Sequence, residues 1–366
     1  MPSSPTYIFA GGGTGGHLYP GLAVMRELME LEPSARCIFV CSAKPLDAEI
    51  LRRERVEFVP IPGKAFGVRP LALWRFLKGW GPSVRISRKA VRGAAAVAAM
   101  GGYVAAPVVQ AARVQRVRVV LVNLDAVPGK ANRWIANHAS VRLTAAGGRA
   151  VPGDWAVVPP IVRRAAFANG TPQECRARLG LNPNRPTLAI TGGSQGAGSL
   201  NAFILAFARQ CREDLVAGGW QIVHQTGPNE DAAASQAYRE LGIPAVATAF
   251  CADMAAFWGG ADLAVSRCGA GAVGEVWANH VPTLFLPYPY HRDQHQKFNA
   301  EPLEQAGGAV IQTDHIDPQT NLVKSGPVLK DLLCDPIGRT AMRAALEALG
   351  PADGAVRVAR ALLNPA

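Results

Sequence analysis

Tyr7-Ile8-Phe9-Ala10-Gly11-Gly12-Gly13-Thr14-Gly15-Gly16-His17 starts this chain with an apolar run, a glycine cluster and the entrance to a helix-like segment. Half a chain later, Leu188-Ala189-Ile190-Thr191 runs into Gly192-Gly193-Ser194-Gln195-Gly196-Ala197-Gly198-Ser199 on the same plan. A glycine loop between a strand and a helix lets the backbone approach an anion closely. It also aims N–H groups and the positive end of the helix dipole at that anion. One such loop is weak evidence, because any doubly wound domain can carry one. Two of them predict two similar α/β domains facing each other across a cleft that holds a phosphorylated ligand.

Strand-like and helix-like segments alternate around both loops, which argues for parallel sheets covered by helices on both faces. In the first half Tyr7–Ala10, Cys37–Cys41, Phe58–Ile61, Ala95–Ala99 and Val117–Val122 read as strands. Helical segments are expected near Tyr19–Leu31, Asp47–Arg55 and Asn132–His138, with Pro20 in a first turn. The second half offers Thr187–Thr191, Gln221–Gln225, Ala245–Thr248, Leu263–Ser266 and Thr283–Leu286 as strands. Val157-Val158-Pro159-Pro160-Ile161 lies midway and is the best candidate linker. The expected division is 1–160, 161–340 and a C-terminal helical segment, 341–366, that crosses back to the first domain. A last helix from about Ile337 to Leu363 should be interrupted at Gly350-Pro351.

A chain of 366 residues fits two domains, and its 49% hydrophobic content supports packed cores rather than disorder. The seven cysteines form no CxxC pair and no metal-like cluster with histidine, which fits a reducing compartment and apolar burial. Met-Pro-Ser-Ser-Pro carries no basic region before its apolar strand, so it does not read as a signal peptide. Gly93–Ala112 is long and uncharged, but Gly101-Gly102 and Pro107 break it into two buried elements around a loop, not a membrane span. The net charge is +11, and no Asp or Glu occurs between Glu57 and Asp125. Lys64, Arg69, Arg75, Lys78, Arg85, Arg88, Lys89 and Arg92 crowd that gap, interleaved with Phe66, Leu71, Leu73, Trp74, Phe76, Leu77 and Trp80. Such a mixture suits a surface lying on anionic lipid headgroups; a solvated helix face over core aromatics is the ordinary alternative. No recognised DNA or RNA module accompanies the charge, so nucleic acid is not expected as a partner.

In open α/β sheets ligands sit beyond the carboxyl ends of the strands, where each notable motif here falls. The first loop is not the dinucleotide GxGxxG pattern, and neither loop ends in Gly-Lys-Ser/Thr. Five motifs together resemble those of the MurG family of N-acetylglucosaminyltransferases. They are Gly12-Gly13-Thr14-Gly15-Gly16-His17 with Pro20, Met100-Gly101-Gly102-Tyr103-Val104, and Gly192-Gly193-Ser194-Gln195-Gly196-Ala197, then Ser266-Arg267-Cys268-Gly269-Ala270 with Glu275, and Asp293 with His295-Gln296 and Asn299-Ala300. The resemblance runs in order from about residue 7 to residue 310. It implies a GT-B glycosyltransferase, two doubly wound Rossmann-like domains with an inter-domain cleft. It further implies inverting transfer of N-acetylglucosamine from UDP-N-acetylglucosamine to lipid I, giving lipid II in peptidoglycan synthesis at the inner face of the bacterial cell membrane.

The same resemblance assigns roles. His17 is the candidate general base; Thr14, Gly15 and Gly16 would cradle the acceptor diphosphate, with Tyr103 on the acceptor side. Ser194, Gln195 and Gly196 fit the donor diphosphate, where neutral donors and a helix dipole stabilise departing UDP without a metal bridge. No Asp-x-Asp occurs in the chain, so neither a metal nor another cofactor is expected. Glu275 would accept from the ribose hydroxyls, Arg163 would sit near uracil, and His295 and Gln296 would meet the donor sugar. Asn299 would fasten its helix, and Asp293 would serve as that helix's cap.

Two positions depart from the family pattern. Asn123-Leu124-Asp125 stands where the family reads Glu-Gln-Asn, and Pro160-Ile161 replaces the Asn-Pro expected before the arginine. A carboxylate at Asp125, a donor-binding position, accepts from a sugar hydroxyl but cannot donate as an amide does. That leaves open a transferase of the same fold with another UDP-sugar or lipid acceptor. An inactive nucleotide-sugar-binding subunit is the alternative from another class, and loop composition disfavours an NAD-linked oxidoreductase.

Overall fold

The computed structural model of the chain describes residues 4–13, 15–148, 150–193 and 195–364. In chain order it begins β1 (Thr6–Ala10), α1 (Gly15–Leu31), β2 (Arg36–Ser42), α2 (Pro45–Arg53), β3 (Glu57–Ile61), α3 (Pro70–Ala90), β4 (Ala96–Ala99) and α4 (Gly102–Val114). It continues with β5 (Arg118–Asn123), α5 (Lys130–Ala136), β6 (Val141–Thr144), β7 (Ala156–Val157), α6 (Pro172–Arg178), β8 (Thr187–Thr191), α7 (Gly198–Gln210) and α8 (Arg212–Ala217). Then come β9 (Gln221–Gln225), α9 (Asp231–Leu241), β10 (Ala245–Thr248), α10 (Met254–Gly259), β11 (Leu263–Ser266) and α11 (Ala270–Asn279). The last elements are β12 (Thr283–Phe285), α12 (His295–Gln305), β13 (Ala309–Ile311), α13 (Pro318–Cys334), α14 (Pro336–Glu347) and α15 (Gly354–Leu363).

Two compact units result. One holds the chain up to Arg163 and from Asp353 onward, and the other spans Arg164–Ala352. The first unit is built on a parallel sheet in the order β3-β2-β1-β4-β5-β6-β7. Its central strands read as unbroken apolar runs because helices cover both faces; Ile8, Phe9 and Ala10 of β1 are fully buried. Val97, Val104, Val108 and Leu121 pack with Ile8 in the core. α15 packs on α1, burying Val358 and Leu362. Its return is fastened by the Ile161–Asp353 bridge and by Gly354 N–H donating to the Pro160 carbonyl at 3.2 Å.

The second unit repeats the topology, with the parallel order β10-β9-β8-β11-β12-β13. Leu188, Phe203, Phe207 and Leu263 fill one face of its sheet and Ala189, Phe257, Trp258 and Phe285 the other. Two doubly wound sheets are what the alternating pattern predicts. The expected interruption of the last helix is present: α14 and α15 are parted at Gly350 (φ +81°), which accepts from Trp277 Nε1 at 2.8 Å. Other expectations shift. Pro107 lies inside α4 instead of breaking it, and α1 starts four residues before Tyr19, so Pro20 falls past its first turn. The short strands β6, β7 and β13 carry too little alternation to be read from sequence.

One buried polar chain lies under the second sheet's carboxyl edge. His224 of β9 is fully buried, with Nδ1 2.9 Å from the Tyr238 hydroxyl and Nε2 3.0 Å from Asn201 Oδ1. Asn201 Nδ2 donates to the Thr226 carbonyl and to Glu230, so Oδ1 is its accepting atom and His224 Nε2 carries the proton. Burial pushes the His224 imidazole down to about 3. A histidine depressed in the folded state leaves the unfolded chain binding more protons below its ordinary value of about 6.5. Stability is therefore complete above that pH and is lost progressively toward pH 3. Calorimetry between pH 6.5 and 4 should show the melting temperature of this unit falling, and His224→Gln should flatten the slope.

Candidate active site

Both sheets reverse strand order beside their first strand, and that switch point is where doubly wound folds open a crevice at the strands' carboxyl ends. In the first unit, Ala10 pairs with Ala99, and Ala99 with Leu121, so β1 and β4 end level while β5 runs two residues further, to Asn123. Their following segments, Gly11–His17, Met100–Tyr103 and Asn123–Asp125, are thereby gathered at one edge. Gly13 (φ +88°) has no room for a side chain, since a Cβ there would lie 2.9 Å from the Tyr103 hydroxyl. Gly15, Gly16 and His17 form the first turn of α1, and Thr14 lies outside the described residues.

Asp47 fixes this loop. Its buried Oδ2 accepts from Gly13 N–H at 2.7 Å, Ser42 N–H at 3.0 Å and Ser42 Oγ at 2.7 Å. Lys44 Nζ donates to the Gly13 carbonyl at 2.7 Å. His17 stands against Gly102 (φ +75°), where an added Cβ would come 3.4 Å from its ring. Burial lowers the His17 pKa, opposed first by the charge of Asp125 and then by that of Asp47. The imidazole is thus neutral near pH 7 and able to take a proton. Arg163 lies in this unit, its guanidinium 4.0 Å above the Tyr19 ring. Asp125 follows β5 on a turn held by Asn123.

In the second unit the glycine loop leaves β8 and enters α7. Gly193 (φ +83°) and Gly196 (φ +73°) take conformations that favour glycine, and a Cβ on Gly196 would drive into the Thr226 carbonyl and Gly227. The N-cap residue of α7 is Ala197, whose methyl side chain offers no acceptor to the first-turn amides. Gln195 is exposed, and Ser194 lies outside the described residues. Beside the loop is a pocket of ≈ 500 Å³ whose wall includes Gly196, Ser199, Arg267, Tyr288, His291 and Gln296.

Arg267 is anchored there rather than loose. It pairs with the buried Asp314 at 2.6 Å, and donates to Ser199 Oγ and the Leu286 carbonyl, each at 2.7 Å. Burial works against ionising Asp314, but hydrogen bonds from Asn321, Ile316 and Ser199, with the Arg267 charge, bring its pKa below the usual carboxylate value. Glu275, one turn into α11, is half-buried and accepts from Trp258 Nε1 at 2.8 Å. His295 Nδ1 contacts Asp293 at 2.7 Å, and its ring lies 4.3 Å from that of His291. Asp293 also accepts from His295 N–H at 3.3 Å, and Gln296 accepts from Tyr288 N–H at 2.9 Å. Asn299 is buried and donates to the Cys268 carbonyl, fastening α12 to the loop after β11.

The structure therefore gathers Gly15, Gly16, His17, Tyr103 and Asp125 at one switch point, and Gly196 and Gln296 around the second unit's pocket. Asp47, Lys44, Asp314 and the anchoring of Arg267 escape a reading of sequence. Asp47 looks like an ordinary acid in a helix's first turn, and Arg267 and Asp314 are far apart along the chain. Replacing Asp314 by Ala leaves a buried guanidinium without its counter-charge, which costs about 3–5 kcal/mol. Urea unfolding followed by tryptophan fluorescence should show a lower midpoint for the Arg164–Ala352 unit.

Residues 7–141 match the glycosyltransferase family 28 N-terminal domain and residues 187–332 its C-terminal domain. A UDP-N-acetylglucosamine--N-acetylmuramyl-(pentapeptide) pyrophosphoryl-undecaprenol N-acetylglucosamine transferase of Clavibacter michiganensis is 35% identical over 361 residues, 96% of this chain and 94% of the relative. The enzyme of that name from Desulforudis audaxviator is 30% identical over 357 residues, 94% of each chain. Among solved structures, MurG of Acinetobacter baumannii is similar at a TM-score of 0.74 and 24% identity, over 98% of this chain and 99% of that one. A putative UDP-N-acetylglucosamine 2-epimerase of Listeria monocytogenes shares the fold at a TM-score of 0.62 and 13% identity, over 97% and 94%. With both domain models matched and near-complete alignment to curated relatives, the chain belongs to glycosyltransferase family 28, in its MurG branch.

Proposed function

We propose that this enzyme transfers N-acetylglucosamine from UDP-N-acetylglucosamine to undecaprenyl-diphosphate-linked N-acetylmuramyl-pentapeptide, with inversion at the anomeric carbon. The observation that carries this reading is the near-full-length identity to curated transferases, together with a glycine loop at the switch point of each sheet. The acceptor hydroxyl attacks the anomeric carbon as the bond from that carbon to UDP breaks, and the electron pair leaves with UDP. Neutral His17 takes the hydroxyl proton. Gly15 and Gly16, in the first turn of α1, offer main-chain amides to the acceptor diphosphate, with Thr14 beside them and Tyr103 lining the acceptor side.

On the donor side, Ser194, Gln195, Gly196 and the start of α7 receive the charge growing on the departing diphosphate. Glu275 accepts from ribose, Arg163 serves the uracil, and His295 and Gln296 address the sugar. Asp314, beside this loop, is committed to Arg267, and the chain has no Asp-x-Asp pair, so the reading calls for no resident metal. Asp125 in place of asparagine favours a second reading, the same reaction with a different UDP-sugar.

The acceptor's lipid tail implies work at the inner face of the cytoplasmic membrane. No helix among the described residues is long and apolar enough to cross a membrane. α3 and the segment before it instead present an amphipathic face. Phe66, Val68, Leu71, Trp74 and Leu77 are exposed, with Val68 80% accessible, among Lys64, Arg69, Arg75 and Lys78. Apolar wedges amid cations fit an interfacial anchor on anionic lipid.

His17→Ala should lower transfer by about 100-fold or more while leaving UDP affinity within about twofold, measured by turnover and calorimetric titration. Glu275→Ala should raise the KM for UDP-N-acetylglucosamine with little change in kcat. Preference for UDP-glucose over the N-acetyl sugar in a donor panel would favour the second reading. Reversing Arg69, Arg75 and Lys78 to Glu should weaken co-sedimentation with phosphatidylglycerol vesicles, and added salt should weaken binding of the unaltered protein. Binding indifferent to both would reduce α3 to a solvated face.

A further inference from the structure

We propose that Ile316 is a specificity-determining residue of the donor pocket, the apolar wall that receives the acetamido methyl of the transferred sugar. This role rests on the reading of that pocket as the place of the UDP-sugar, and it names the residue that tells the N-acetyl sugar from one bearing a hydroxyl. Ile316 lies between β13 and α13, at the carboxyl edge of the second sheet, and lines the ≈ 500 Å³ pocket beside the second glycine loop.

Among the described residues, six other than glycine take a positive φ, and Ile316 (φ +66°) is the one with a branched β-carbon. A β-branched side chain in the left-handed region is strained. Asp317 N–H donates to the His315 carbonyl at 2.7 Å, which closes a γ-turn of the rare positive-φ kind around Ile316. Such strain persists only where neighbours over-determine the turn, and here they do. Before it, Asp314 Oδ1 accepts from Ile316 N–H and from Asn321 Nδ2, each at 2.7 Å, while its other oxygen is held by Ser199 and Arg267. Asn321 Oδ1 accepts from His315 N–H at 2.8 Å. After it, Asp317 caps α13, accepting from Thr320 N–H at 2.7 Å. Glycine or asparagine would take this conformation at less cost, and Ile316 is only half-buried, so core packing does not account for an isoleucine there.

The other walls of the pocket say what the isoleucine meets. Gly196 and Ser199 belong to the loop and helix start that take the diphosphate on the reading above, and Gln296 to the side of the sugar. Tyr290 is exposed, and the Tyr288 ring lies 5.7 Å from the Arg267 guanidinium. Among the described residues of the wall, Ile316 is the one branched aliphatic side chain. Phosphates and sugar hydroxyls gain nothing from hydrocarbon. The sugar end of UDP-N-acetylglucosamine carries one methyl group, on its acetamido substituent, and packing it on Ile316 takes both from water. UDP-glucose has a hydroxyl at that carbon and leaves the wall without a partner. A contact of this size is worth roughly tenfold in kcat/KM, the low end of what one carbon gains in a hydrophobic pocket.

The test compares kcat/KM for UDP-N-acetylglucosamine and for UDP-glucose, with lipid I as acceptor, beside calorimetric titration with UDP alone. Ile316→Gly should cut the preference for the N-acetyl sugar by about tenfold, through kcat/KM of the N-acetyl donor, while UDP affinity stays within about twofold. Its melting temperature should stay near the parent's, since glycine takes this φ without strain. Ile316→Val keeps a branched wall and should keep most of the preference. A folded Ile316→Gly protein with the parent's preference overturns the proposal. So does an equal loss of affinity for UDP and for UDP-N-acetylglucosamine, which would make the turn a brace of the glycine loop alone. Should Ile316→Gly not fold, Ile316→Asn, which also tolerates a positive φ, decides by the same ratio. A parent enzyme that prefers UDP-glucose would remove the underlying donor reading. A parent that prefers the N-acetyl sugar, beside an Ile316→Gly protein that prefers it equally, removes the role of Ile316 alone.

Discussion

The close approach of main chain to main chain at the second glycine loop governs how the Arg164–Ala352 unit presents its amides. Gly196 lies so near the Thr226 carbonyl and Gly227 that neither glycine can carry a side chain. With that contact in place, the chain turns into α7 at Ala197, an N-cap residue with no side-chain acceptor for the first amides of the helix. Other parts of the unit support the same contact. Asn201 of α7 bonds the Thr226 carbonyl and is itself oriented by His224, while Ser199, two residues earlier, is tied to Arg267 and Asp314. A buried polar network of this kind is tolerable only because nearly every member is satisfied, and that same satisfaction makes the loop rigid.

The two loops solve the anion problem with opposite electrostatics. In the second, the buried cation is neutralised by Asp314, so the site presents oriented dipoles rather than net charge. Such a site can hold a diphosphate that must later depart. In the first, Asp47 uses the Gly13 amide for itself, and Lys44 caps the Gly13 carbonyl. On the proposed reading, the amides left for an acceptor diphosphate are those of the first turn of α1, next to His17. That places the group suited to removing a proton beside the anchoring point of the molecule that must lose one.

The fold was legible because its signals are local. Apolar runs such as Ile8–Ala10 and Leu188–Ile190 mark strands buried on both faces, and the glycine clusters mark where they hand over to helices. What failed was weak or ambiguous locally. β7 is two residues long and exposed, β13 is only three residues long, and Pro107 looks like a breaker although the flanking apolar residues keep α4 intact. The site divided along the same line. Glycines, His17, Glu275 and His295 are carried by contiguous motifs. Asp47, Asn123 and Asp314 act through partners supplied by other strands and helices, so spacing along the chain holds no trace of them.

Fold alone would not have decided the chemistry. The same doubly wound pair of domains recurs in a protein titled an epimerase, so a nucleotide-sugar scaffold does not imply transfer. A transferase needs what an isomerase of the bound sugar does not, a second substrate and a base for its hydroxyl. On the proposed reading both requirements fall on the first unit. There the exposed apolar and basic face of α3 suits a lipid-borne acceptor, and a desolvated, neutral histidine stands at the switch point of the same sheet. The substitution that departs from the family, Asp125, also lies at that switch point. The departure thus falls in the unit that carries α3 and His17, not in the one that carries the pocket beside the second glycine loop.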